Sequence, residues 1–337
     1  MYPLRFEPIF RRYIWGGRRL ADVLSKPIGS DPCAESWEIV DHHDDQSVVA
    51  FGSLKGKTLS ELIATDGESL LGSEVTRQIS DDSLPQSLQT RFPLLLKFLD
   101  ANRALSVQVH PDNAFGATLD PPDLGKTEAW YVMHANPGAK IYAGLKEGID
   151  AEKFREAIKY GFTEEALHSF EAKTGDCVFI PAGTMHAIGE GLLIAEIQQC
   201  SNTTFRVFDW NRVDSDGNPR QLHIDQAIAA TDFSRGPVDP VAPQSTEHKN
   251  CSVLVECEKF VMRRWNFEHA NQHIQIGDHD RFRIFAVTKG NLVVEDDPSE
   301  LALSTGQTMF LPASIGSITV SSNAATELLE IYVPDQN

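Results

Sequence analysis

Apolar residues along this chain come in short runs of about four to eight, closed by Gly, Pro, Asn or Asp, which is the pattern of β-strands and turns. The clearest runs are 92–99 (FPLLLKFL), 105–110 (LSVQVH), 140–145 (KIYAGL), 177–181 (CVFIP), 192–199 (LLIAEIQQ), 205–210 (FRVFDW), 282–287 (FRIFAV), 291–294 (NLVV) and 308–312 (TMFLP). They do not alternate regularly with helical segments. The pattern therefore predicts an all-β sandwich or barrel rather than a parallel α/β sheet. Helices read as insertions. Thr58 and Glu61 form a capping-box pattern at the head of TLSELIA. Asp150 precedes AEKFREAIKY, where Phe154, Ala157 and Ile158 fall at helical spacing. Thr163 precedes EEALHSF, whose two acids suit a first helical turn, and His223 stands at the start of another helical stretch.

Two features bear on organisation. Residues 234–249 (SRGPVDPVAPQSTEHK) hold three prolines and few apolar side chains, the best linker candidate. A division follows into a larger part, 1–240, and a β-rich tail, 241–337. The segment Thr174-Gly-Asp-Cys-Val-Phe-Ile-Pro-Ala-Gly183 is also echoed by Thr305-Gly-Gln-Thr-Met-Phe-Leu-Pro-Ala-Ser314. Each copy reads as a glycine turn, a strand and a Pro-Ala stop, so one β-unit occurs twice. The first copy runs on to His186. The second runs on to Ser317 without a ligand-type side chain, so chemistry is expected in the first.

Composition narrows the function. The chain has 337 residues, of which 41% are hydrophobic, enough for a sizeable core. Its 30 Lys and Arg stand against 48 Asp and Glu, a formal net charge of -18. That balance argues against nucleic-acid and anionic-membrane partners, which need clustered cations. A small phosphorylated substrate needs only a few local cations and stays open. No apolar run reaches the ~20 residues of a membrane span, and the opening MYPLRFEPIFRRYIWGG lacks the apolar core of a signal peptide. Cysteines 33, 177, 200, 251 and 257 form no CxxC pair. Reduced thiols and a cytoplasmic location are expected.

In 105–110, strand alternation puts Ser106, Gln108 and His110 on one face and Leu105, Val107 and Val109 on the other. Taken alone, the polar face reads as a wet face that happens to carry a histidine. The second motif changes that reading. Gly175-x5-Pro181-x-Gly183-x2-His186 has the spacing of the second motif of the cupin family, and Gln108-x-His110 with Glu128 stands where the first cupin motif offers its ligands. Two imidazoles, one carboxylate and one amide oxygen suit a borderline divalent ion such as zinc.

The chain as a whole resembles the short bacterial type I phosphomannose isomerases of the cupin superfamily. The resemblance rests on several segments in order. Trp15-Gly-Gly17 is similar to the family's N-terminal IWGG. Glu35-Ser-Trp-Glu38, Arg91-Phe-Pro-Leu-Leu-Leu-Lys97, Ser106-Val-Gln-Val-His-Pro-Asp112 and Gly125-Lys-Thr-Glu128 follow. Pro181-Ala-Gly-Thr-Met-His186 and the Glu196-x9-Arg206 spacing complete the set. The resemblance implies a double-stranded β-helix (cupin jelly roll) with helical insertions and a second, C-terminal cupin-like β-domain lacking metal ligands. It implies one Zn2+ per chain on Gln108, His110, Glu128 and His186, with Arg206 and Glu196 catalytic and Ser106 and Lys126 contacting the substrate near its phosphate. The activity implied is the interconversion of D-mannose 6-phosphate and D-fructose 6-phosphate through an enediolate. The alternatives are a cupin acting on another phosphosugar, one with oxidative iron chemistry, or a sugar-phosphate sensor without turnover. One departure is visible: where many relatives carry Ser-Asp-Asn or Ser-Asp-Ala, this chain has Ser201-Asn202-Thr203.

Other residues carry plainer expectations. Burial against apolar strands is expected to raise the Glu196 carboxyl towards neutrality, with zinc-bound hydroxide as the competing base. Gly125-Lys-Thr127 lacks the spacing of a P-loop. Trp15 reads as a packing corner, the His42 and His43 loop as solvated, and Cys200 as unreactive. Monomer and homodimer both remain open.

Overall fold

The computed structural model describes residues 1–82, 84–213, 217–277 and 280–335. Four main antiparallel sheets are stacked. The first has five strands, in the order Leu167–Glu171, Lys140–Leu145, His186–Ile188, Val107–Val109 and Phe205–Phe208. The second has six: Cys177–Ile180, Glu128–Ala135, Leu192–Gln199, Leu94–Ala101, Glu35–Ile39 and Ile9–Arg11. These two face each other through Leu99, Trp130, Val178 and Ile194 on one side and Ile141, Ala143 and Ile188 on the other. The C-terminal part repeats the arrangement. A six-stranded sheet runs from Gln244–Ser245 to Thr308–Leu311, and a four-stranded one holds His273–Gly277, Ser317–Ser322, Asn291–Val294 and Leu303–Ser304. Phe285, Val287 and Leu328 meet Ile276, Leu292 and Val320 between them. The fold is all-β: two jelly rolls with helical insertions.

The two six-stranded sheets lie back to back and share one core. Leu94, Leu96, Phe98, Ala195 and Ile197 of the first pack in one cluster with Met262, Ile284, Leu329 and Ile331 of the second. Phe92, Phe282 and Phe310 join them, with ring centroids 5.1 to 5.7 Å apart. Leu4 exchanges backbone hydrogen bonds with Phe310, lacing the N-terminus to the C-terminal sheet. The sheet of Leu94–Ala101 is therefore covered on both faces. That is why 92–99 and 192–199 are nearly continuous apolar runs rather than alternating ones. Among the polar exceptions, Lys97, Glu196 and Gln198 point to the inner face, as does Glu128 at the start of the neighbouring strand, and all four are buried.

The outer face of the five-stranded sheet is covered by helices. Val107, Val109, Tyr142 and Ala187 pack with Phe154 of helix Ala151–Tyr160 and Ala227 of helix Ile224–Ala230. The caps follow the sequence. Thr58 and Glu61 form both bonds of a capping box, the Asp150 side chain accepts from Lys153 N, and His223 sits at the N-cap. Thr163 behaves differently. The helix it opens stops after one turn, at Ala166, and Leu167–Glu171 is a strand paired with Lys140–Leu145. Pairing at an open sheet edge outweighs the helical preference of EEALHSF.

The two repeat copies supply edge strands, Cys177–Ile180 and Thr308–Leu311, of the two six-stranded sheets. Each follows a glycine at positive φ, Gly175 (93°) and Gly306 (80°). The proline-rich segment 234–249 is bonded to the first jelly roll, Val238 N to Ala143 O and Val241 N to Cys177 O, before Gln244–Ser245 joins the second.

Candidate active site and metal centre

A cavity of about 290 Å³ opens at one end of the first jelly roll, between its two sheets. Strand Val107–Val109 presents Gln108, with Ser106 and His110 just beyond its ends. Strand Glu128–Ala135 begins with Glu128, and strand His186–Ile188 begins with His186. Cross-strand pairing sets the register: His186 lies opposite Gln108, which lies opposite Arg206, and Glu196 lies opposite Lys97. Ser106, Gln108 and His110 thus point into the jelly roll, and Val107 and Val109 lie under the helices, the reverse of a solvated face; Leu105, before the strand begins, breaks the expected alternation and lines the cavity instead.

Nε2 of His110, Nε2 of His186 and the Glu128 carboxylate lie within 4.8 Å of one another, and all three residues are buried. Among the described residues this is the one cluster of His, Cys and acidic side chains able to hold a metal ion. The second ring nitrogens are already committed. His110 Nδ1 is 2.8 Å from Thr203 O, and His186 Nδ1 is 2.9 Å from Thr184 O. Donating Nδ1–H to a carbonyl leaves each Nε2 as the lone-pair nitrogen turned toward Glu128, the orientation of a metal-ligating imidazole. The Gln108 amide is 3.4 Å from both Nε2 atoms and can offer its oxygen there by rotating. The donor set fits a divalent cation.

Electrostatics agree with this fit. Burial holds both imidazoles neutral: His110 well below its ordinary value, aided by Lys126 and His186, and His186 lowered to about 4. Burial pushes Glu128 up to about 7, with Lys126 pulling the other way and Glu196 adding to the rise. Lys126 Nζ lies 2.9 Å from Glu128 Oε2 and 2.9 Å from His110 Nε2, so its ammonium substitutes for part of the charge an ion would bring.

Glu196 departs from the expected direction. Burial alone would raise its carboxyl. The ammonium of Lys97, 3.0 Å away, and that of Lys126, 3.9 Å away, more than offset this and hold it below the ordinary range. Lys97 is held in turn by Glu35 at 3.6 Å. Arg206 Nε donates to Ser106 Oγ at 3.1 Å, and its Nη1 donates to Gln221 O. Arg220 also lines the cavity and is ion-paired to Asp209.

All eight residues singled out from the sequence surround or adjoin this space. Seven line the cavity wall, and His110 stands behind it against Gln108 and Lys126. Sequence reasoning assigned no role to Lys97, Glu35, Trp130 or Arg220, which also line it. A lysine interrupting FPLLLKFL, on a strand otherwise apolar, was the available signal for Lys97. Trp15 is both corner and wall: Gly16 leaves no room for a Cβ against Ala34, and the indole faces the cavity beside Tyr13. The His42 loop is not simply solvated, because Asp41 and His42 are buried and His42 reaches Asp123. Cys200 is buried, its thiol pushed up to about 12, which suits the absence of a nucleophilic role.

The fold and this centre define a cupin enzyme with a site able to hold a divalent metal. Residues 4–126 match the family described as phosphomannose isomerase type I, catalytic domain, and residues 250–332 match the mannose-6-phosphate isomerase cupin domain. The chain belongs to the type I phosphomannose isomerase family. It is 36% identical to a mannose-6-phosphate isomerase of Streptococcus mutans over 94% of both chains. It is 34% identical to mannose-6-phosphate isomerase ManA of Bacillus subtilis over 96% of both. The crystal structure of the mannose 6-phosphate isomerase from Bacillus subtilis superposes with a TM-score of 0.83 at 30% identity, covering 98% of this chain and 99% of that one.

Proposed function

We propose that the protein is a zinc-dependent aldose–ketose isomerase that interconverts D-mannose 6-phosphate and D-fructose 6-phosphate through an enediolate. The observation that carries this reading is the convergence of His110, Glu128 and His186 at the wall of one cavity that Arg206 also lines. Gln108, His110, Glu128 and His186 would hold one ion per chain. When bound, it supplies Lewis-acid stabilisation of negative charge on the substrate oxygens.

The chain's own groups do the rest. Moving hydrogen between C1 and C2 needs a base that accepts the proton from one carbon and returns it to the other. Glu196 fills that role, kept ionised by Lys97 and shielded from water by the strands around it. The Arg206 guanidinium, steadied by Ser106, faces the enediolate with a fixed positive fork. Ser106 and Lys126 bind the substrate, and Arg220 adds a cation to the same wall, so an acidic protein offers a phosphosugar a locally cationic pocket. Phosphate binding remote from the reacting carbons holds the open chain in reacting geometry.

Residues 1–240 form the catalytic part, and 241–337 form a bracing β-domain without ligands of its own. The five free cysteines suit a cytoplasmic location. A coupled assay on mannose 6-phosphate, with metal analysis before and after chelation, tests the whole reading. Activity that follows zinc content supports it. Full activity in metal-free protein overturns the zinc assignment, and saturable phosphosugar binding without turnover overturns the isomerase.

A further inference from the structure

Asp123 lies outside the cavity, yet its carboxylate collects an unusual number of donors. Oδ2 accepts from Ser201 Oγ at 2.8 Å, Thr203 Oγ1 at 2.9 Å and Asn202 N at 3.2 Å. Oδ1 accepts from Leu124 N at 2.9 Å and Arg91 Nη1 at 3.2 Å, and His42 Nε2 stands 3.4 Å away. Three of these donors belong to consecutive residues, 201 to 203. The carbonyl of the last of them, Thr203 O, is the acceptor for His110 Nδ1. Asn202 and Thr204 of the same loop form part of the cavity wall.

We propose that Asp123 is a positioning residue for the active centre: it fixes the 201–203 loop so that Thr203 O selects the tautomer and ring orientation of His110. The inference rests on the metal-centre reading only for its consequence, since the hydrogen-bond chain exists in the protein without an ion. The loop has no regular secondary structure; Gln198 Nε2 ties its start at Ser201 O, and the Asp123 carboxylate gathers the donors of all three residues. A ligating imidazole whose other nitrogen loses its acceptor is free to rotate or to move its proton to Nε2. His186 provides an internal reference. Its Nδ1 is bonded to Thr184 O on a different loop, so its own Nδ1–H bond does not depend on the 201–203 segment, although the two rings pack 4.8 Å apart.

The test compares the parent, Asp123→Asn and Thr203→Val, each as full-length protein stripped of metal, by NMR of ¹⁵N-histidine-labelled samples. Asp123→Asn replaces one accepting carboxylate oxygen with an NH2 group, which opposes the Asn202 N–H if turned toward the loop, or the Leu124 N–H and Arg91 if turned the other way. Thr203→Val removes one tie and keeps the carboxylate. The expected result is selective loss or faster exchange of the His110 Nδ1–H signal, stronger in Asp123→Asn than in Thr203→Val, with the His186 signal unchanged. Zinc affinity, measured against a competing chelator, is expected to fall about 10- to 100-fold in Asp123→Asn. Unchanged His110 signals in both variants, or equal loss of both histidine signals, overturn the proposal. A selective His110 change with parental zinc affinity overturns its consequence for the metal. A parent that binds no zinc defeats the metal reading instead, and the NMR comparison still decides the positioning role.

Discussion

Lys97 Nζ stands 3.0 Å from Glu196 Oε1, on directly opposed residues of adjacent strands, with both side chains buried. The pair gives the Glu196 carboxylate a different setting from a carboxyl alone in an apolar pocket. It stays ionised, and its basicity is limited by the ammonium beside it. Lys97 is itself carried above its ordinary value, because Glu196, Glu35 and Glu128 together outweigh the burial that would lower it. Lys97→Met removes the main force holding Glu196 down. Its carboxyl then rises, so the acid limb of the kcat profile moves to higher pH and turnover near neutrality falls. Breaking the buried pair also costs about 3–5 kcal/mol of stability. A pH–rate series with a parallel urea titration checks both, and an unmoved acid limb would remove Glu196 as the titrating base.

The Arg206 guanidinium donates to Ser106 Oγ and the Gln221 carbonyl rather than to the His110, Glu128 and His186 cluster. Arg206→Ala is therefore expected to lower kcat by about 10²–10³-fold, the range for loss of one charge-stabilising donor. Metal content should remain at the parent value. Parental turnover in this variant would exclude the guanidinium from the transition state.

How much of this was legible in the sequence differs by residue. Gln108, His110 and His186 were readable because the Gly175-x5-Pro181-x-Gly183-x2-His186 spacing and the family resemblance single them out, whereas strand alternation alone pointed to a wet face. Glu196 was readable as a position but not as a charge state. Its partner Lys97 lies 99 positions earlier in the chain, and only pairing of the strands Leu94–Ala101 and Leu192–Gln199 brings them together. The same limit applies to Asp123, whose partners come from the segments around 42, 91 and 201. The strand at Leu167–Glu171 was hidden for a related reason. Its local sequence favours a helix, and the sheet edge that overrules it is formed by residues 140–145.

The shared core between the six-stranded sheets predicts that the first jelly roll depends on the C-terminal one. Phe310 packs against Phe6, Phe92 and Phe282, and its backbone pairs with Leu4. Phe310→Ala should cost about 3–5 kcal/mol and lower Tm without altering KM. Removing residues 241–337 would bare Leu94, Leu96 and Phe98 and should give aggregated protein. Thermal unfolding and sedimentation check these outcomes, and a monomeric, active truncation would show that the first jelly roll stands alone.

Asp123 also gives the protein an acid-sensitive joint. Burial would raise its carboxyl, but the hydrogen bonds from His42, Ser201 and Thr203 hold it far below the usual carboxylate range. A group with a depressed folded value stabilises the fold at every pH above its unfolded value, near about 3.9. That contribution is lost as pH falls further, because the folded state must then take up a proton it resists. The parent should therefore lose unfolding free energy between about pH 5 and pH 1. Asp123→Asn should be less stable at neutral pH and lose less over the same interval, since the linked proton is gone. Urea titrations at the two ends of that interval measure the difference. Equal acid losses in parent and variant would show that other carboxylates govern the acid limb.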